Sequence, residues 1–68
     1  MSSKSARLNV RRECERADGN LDWAGKHIMQ VANTCEDYQR EDLQEQAEYV
    51  CMMIIELKKA VEKLREMF

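Results

Sequence analysis

Proline is absent from this chain, and glycine occurs only twice, at Gly19 and Gly25. Without proline nothing forces a helix to stop, and without glycine-rich stretches there is no phosphate-cradling loop or flexible linker. Aromatic residues are few: one Trp, two Tyr and one Phe. The single histidine, His27, has no Cys-x-x-Cys pair beside it and no Glu three residues before it. That leaves no recognisable metal-ligand spacing. The longest apolar run, Tyr49 to Ile55, falls far short of the roughly 20 residues a membrane-crossing helix needs.

Three cysteines, Cys14, Cys35 and Cys51, are odd in number, and their spacings match no disulfide framework. Each falls on or beside an apolar stripe, where a reduced thiol behaves as a small hydrophobe. Met1-Ser2-Ser3-Lys4 is followed by no apolar stretch of the kind a secretory signal requires. Both observations fit a reducing cytoplasm, and a cytoplasmic protein is expected.

A Cys–His nucleophile pair is disfavoured by distance. On one continuous helix His27 would lie about 12 Å from Cys35 and about 20 Å from Cys14. Cys51 lacks an orienting third group. No catalytic residue, cofactor, metal or small-molecule substrate is expected, so the chain reads as a non-enzyme.

What the chain does have is rhythm. Glu, Gln, Lys, Arg, Ala, Leu and Met dominate, all strong helix formers. Val10, Cys14, Ala17, Leu21, Ala24, Ile28, Val31, Cys35 and Tyr38 step by three and four. So do Leu43, Ala47, Val50, Ile54, Leu57, Val61, Leu64 and Phe68. This spacing keeps one stripe of each helix facing a partner. The step of five from Tyr38 to Leu43 breaks phase between them. The expected fold is therefore all-α. Helix A covers about 5–38, a turn about 39–42, and helix B about 41–68, packed as an antiparallel hairpin in a single domain.

Folding back aligns the stripes rung by rung: Tyr38 with Leu43, Val31 with Val50, Ala24 with Leu57, Ala17 with Leu64, Cys35 with Ala47, and Cys14 with Phe68. Small residues meet larger ones, which suits interdigitation. The first nine residues should project past the open end, with 1–5 frayed and Ser3 or Ser5 as a cap.

Two local signals compete with this layout. Asp18-Gly19-Asn20 is a good turn or cap signal, and a break there would give three helices. The rhythm keeps phase through it, which favours a continuous or slightly kinked helix. Thr34-Cys35-Glu36-Asp37 resembles a capping box and would start the second helix earlier.

A chain of 68 residues buries too little surface to be comfortably stable alone. Its apolar surface is also wider than one seam. Trp23, Met29, Ala32, Met52, Met53 and Ile55 fall beside or beyond the stripes and cluster at mid-height. Such a belt suits self-association into a four-helix bundle, capture of another protein's helix, or the core of a compact three-helix monomer. The expectation is a homodimer that binds a further, unidentified protein.

Charge is polarised along the chain. Residues 36–48 carry Glu36, Asp37, Glu41, Asp42, Glu45 and Glu48 against Arg40, a net of −5. Residues 1–16 carry Lys4, Arg7, Arg11, Arg12 and Arg16 against Glu13 and Glu15, a net of +3. The acidic end, with Glu36, Asp37, Glu41, Asp42 and Glu45, is a candidate docking site for a basic partner. The basic residues Lys4, Arg7, Arg11, Arg12 and Arg16 are candidate phosphate contacts in an alternative reading as a nucleic-acid-binding regulator. The net charge of −2 weighs against that reading. Two oppositely directed hairpins would place acid beside base twice.

Overall fold

The computed structural model describes residues 3–67, and shows two helices packed against each other. Helix α1 spans Ser3–Asp37 and helix α2 spans Glu41–Glu66. Phe68, and with it the expected rung to Cys14, lies outside the described residues, as do Met1, Ser2 and the Ser3 side chain that was a candidate cap. The segment from Ser3 to Ser5, expected to fray, is helical.

Helix α1 runs unbroken through Asp18-Gly19-Asn20, and no glycine takes a positive φ. Gly19 is exposed with open space where a Cβ would project. Glycine therefore weakens the helix there without redirecting it.

The reversal occupies residues 38–40. Gln39 takes φ 59°, the left-handed conformation that usually calls for glycine. Its N–H donates to the Glu36 carbonyl at 2.9 Å, and the Arg40 N–H donates to the Cys35 carbonyl at 3.0 Å. Together these form a Schellman cap on α1. Thr34 lies in the last turn of α1; its hydroxyl donates to the Gln30 carbonyl at 3.0 Å, so the rival capping box is not used.

The hairpin is 56 Å long and only 15 by 11 Å across. Its radius of gyration is 16.2 Å, against about 11 Å for a compact domain of this length. Only Cys14 and Ala47 are buried among the described residues.

The seam between the helices keeps Cys14, Ala47 and most of the expected stripe, and is rotated part-way toward the following position on each helix. On α1 the half-buried residues include Asp18, Gly25 and Ala32; Val31 and Tyr38 are exposed at 49% and 76%. On α2 Gln44, Cys51 and Lys58 are half-buried, and Leu43, Leu57 and Leu64 are exposed at about half. A strict seven-residue repeat drifts about 20° per heptad on a straight helix. Over four heptads that drift carries Val31 and Tyr38 off the seam and brings Ala32 onto it.

Ion pairs cross the hairpin along one side. Lys58 bonds to Asp22 and lies 3.8 Å from Asp18, and Arg65 Nη2 lies 3.0 Å from Glu15 Oε1. These contacts sit at the heights of the Ala24–Leu57 and Ala17–Leu64 rungs, so the antiparallel register matches the repeats.

Candidate functional site

Rotation of the seam divides the hairpin into two unlike faces. In an antiparallel pair, positions on the same side of each stripe share a face. One face carries Glu15, Asp18, Asp22, Lys58 and Arg65, with Met29 and Ile55 further toward the reversal. A groove here is lined by Leu21, Asp22, Gly25, Lys26, Met29, Cys51, Ile54, Ile55 and Lys58. Its salt bridges strap the two helices together.

The opposite face has no such straps among the described residues. Val10, Ala17, Ala24, Val31 and Tyr38 run along α1, and Leu43, Val50, Leu57 and Leu64 run along α2. Met53 flanks them. One depression on this side is lined by Asn9, Val10, Glu13, Cys14, Ala17, Val61 and Leu64. A second, lined by Val50, Met53, Ile54, Glu56 and Leu57, is almost wholly apolar. These are the residues that the sequence assigns to the intramolecular seam. In the hairpin Val31, Tyr38, Leu43, Leu57 and Leu64 are exposed along its open edge, while Val10, Ala17, Ala24 and Val50 stay half-buried at the border of the seam.

The six mid-height interface candidates do not share one face. Met29 and Ile55 lie on the ion-paired face and Met53 on the open face. Trp23 and Met52 point to the outer backs of their helices at 63% and 64% exposure. Ala32 is half-buried in the seam. Trp23 stacks on His27, with ring centroids 6.2 Å apart, and Lys26 Nζ sits 5.0 Å from the indole centroid. This exposed cluster is one turn of α1, built by the three- and four-residue spacing.

At the reversal the acidic candidates gather. Glu36 and Asp37 close α1, Glu41 and Asp42 open α2, and Glu45 follows one turn later, all exposed. Arg40 holds Asp42 through two bonds, Nε to Oδ1 at 3.1 Å and Nη2 to Oδ2 at 3.0 Å. This bidentate pair lowers the Asp42 carboxyl below its ordinary range and raises Arg40.

Lys4, Arg7, Arg11, Arg12 and Arg16 are exposed at the other end. Lys4, Arg7 and Arg11 line one shallow depression with Leu8. Arg16 is paired with Glu13 at 2.9 Å. Helix α1 is nine residues longer than α2, about 13 Å at ~1.5 Å per residue. Its first turns therefore project beyond the last described turn of α2.

No group of three or more His, Cys, Asp or Glu that could hold a metal ion is present among the described residues. No described helix is long and apolar enough to cross a membrane. The three thiols are free, with Cys14 buried in the seam and Cys35 and Cys51 half-buried. No family model, curated protein or solved structure matches the chain.

Proposed function

We propose that this chain is a non-catalytic protein-protein interaction module, a small homodimeric helical bundle that binds another macromolecule. The observation that carries this reading is the open apolar face. The chain exposes 5886 Å². A compact monomer of this mass exposes about 4,500 Å². The excess, on the order of 1,000 Å², exceeds the ~800 Å² per partner of a standard interface. A second copy supplies the missing core of a four-helix bundle. The residues left outside, Trp23 and Met52 above all, then serve a different partner. Free, partly shielded thiols suit a reducing compartment such as the cytoplasm.

A second reading, a small nucleic-acid-binding regulator, draws on the projecting segment with Lys4, Arg7 and Arg11 around one depression. One experiment separates them: affinity capture from the native host at low salt, with and without nuclease. A protein partner that survives nuclease supports the interaction module. Nucleic acid that co-purifies and is lost with nuclease supports the regulator. Sedimentation at micromolar concentration tests the dimer, and a cooperatively folded monomer overturns it.

A further inference from the structure

The charges on α1 run against its own dipole. A helix favours acids in its first turn and bases in its last. Helix α2 obeys, with Glu41 and Asp42 at its start and Lys63 and Arg65 near its end. Helix α1 has no acid in its first turn and no base in its last. Instead Lys4 and Arg7 sit near its start and Glu36 and Asp37 at its end. Within one hairpin this arrangement is unfavourable at both termini of α1.

It becomes favourable beside a second, reversed α1. We infer that two copies join through the open face with their hairpins pointing in opposite directions, α1 against α1 and α2 against α2. This rests on the interaction-module reading and names its partner as a second copy of this chain, in one orientation.

Three observations converge on it. The stripes are self-complementary under a two-fold axis. On α1 an axis at Ala24 sets Ala17 opposite the partner's Val31 and Val10 opposite the partner's Tyr38, small against large. On α2 the axis at that height passes at Leu57, the rung of Ala24, and sets Val50 opposite the partner's Leu64 and Met53 opposite the partner's Val61. The two centres lie at nearly one height, since the Lys58–Asp22 and Arg65–Glu15 contacts set the register in which Ala24 is level with Leu57. A single axis must satisfy both helices at once, and here it does.

The ends also match in charge. Around the reversal, residues 36–48 carry a net of −5. At the open end, residues 1–16 carry +3, and residues 58–66 add +2 from Lys58, Lys59, Lys63 and Arg65 against Glu62 and Glu66. The reversed arrangement brings each acidic end to a basic one, and the same-way arrangement stacks like on like. Finally, the projecting turns of α1 reach the partner's reversal. Arg11 and Arg12 come level with the partner's Asp37 and Glu36, and Lys4 and Arg7 pass beyond them. The overhang that lacks a partner within one hairpin gains one between two.

The test combines sedimentation with disulfide trapping in the full chain, with Cys35→Ala and Cys51→Ala removing the half-exposed thiols. Ala24→Cys should oxidise to a symmetric covalent dimer, because the axis places Ala24 on its own copy. Glu41→Cys should not couple to itself, and Leu57→Glu should weaken dimerisation at least about 100-fold by burying an unpaired charge. Self-coupling at Glu41→Cys without coupling at Ala24→Cys would show same-way hairpins and overturn this inference alone. So would a dimer that survives Leu57→Glu and is broken by Met29→Glu. A parent chain that stays monomeric overturns the dimer in both readings. If Leu57→Glu fails to fold, the Ala24→Cys and Glu41→Cys trapping still decides.

Discussion

Lys58 of α2 bonds to Asp22 of α1 across the seam and lies 3.8 Å from Asp18, one turn earlier. The bond to Asp22, helped by the Asp18 charge, raises the Lys58 ammonium above its ordinary range. A raised lysine contributes stability that is fully present below its ordinary pKa and is lost as pH rises through the raised value. Thermal unfolding followed from neutral to strongly alkaline pH should therefore show a loss on the alkaline side. Lys58→Met should be less stable at neutral pH and lack that part of the loss. Equal alkaline profiles for parent and variant would detach this pair from stability.

Asp42 gives the mirror case. Arg40 holds its carboxyl low, so its contribution is present above the ordinary carboxylate range and fades on acidification through the lowered value. Asp42→Asn should flatten part of the stability loss in a thermal-unfolding series taken from neutral to acid pH. The pair is exposed, so the effect should shrink in high salt.

The reversal offers the simplest gain in stability. Gln39 holds φ 59° without being glycine, a conformation costing side-chain-bearing residues about 1–2 kcal/mol. Glycine relieves that strain and loses some in backbone entropy. Gln39→Gly should raise stability by about 0.5–1 kcal/mol, a few degrees in Tm by calorimetry. This position also shows why the turn was hard to read. Gln39-Arg40-Glu41-Asp42 contains no glycine or proline, and the left-handed residue is glutamine. Only the phase break between Tyr38 and Leu43 located it.

Gly19 tests continuity of α1. It is exposed, helical and has open space around an added Cβ. Gly19→Ala should stabilise the chain by about 1 kcal/mol, read as a higher Tm with unchanged helix content. A destabilised variant would mean that α1 bends there. The helix was legible because Cys14, Ala17, Leu21 and Ala24 keep phase across Asp18-Gly19-Asn20. Direction and register of the hairpin were legible for the same reason. Rotation about each helix axis was not. The apolar arc is wider than one seam, so Val31 or Ala32, and Leu57 or Lys58, fit the repeat almost equally. Lys58 takes a half-buried place because its long apolar stem lies along the groove and its ammonium finds Asp22. Hydropathy alone assigns that place to Leu57.

Cys14 reports on the seam directly. It is 7% exposed, and it lines the same depression as Val10, Ala17, Val61 and Leu64. Cys35 and Cys51 are half-buried. Alkylation followed by mass spectrometry should modify Cys14 last, at a rate set by opening of the hairpin. Because the depression lies on the open face, a second copy seated there adds a barrier that depends on protein concentration. Cys14 labelling should therefore slow as the chain is concentrated, while labelling of the more exposed thiols changes less. A Cys14 rate independent of concentration across the micromolar range would place any contact between copies away from Val10 and Leu64.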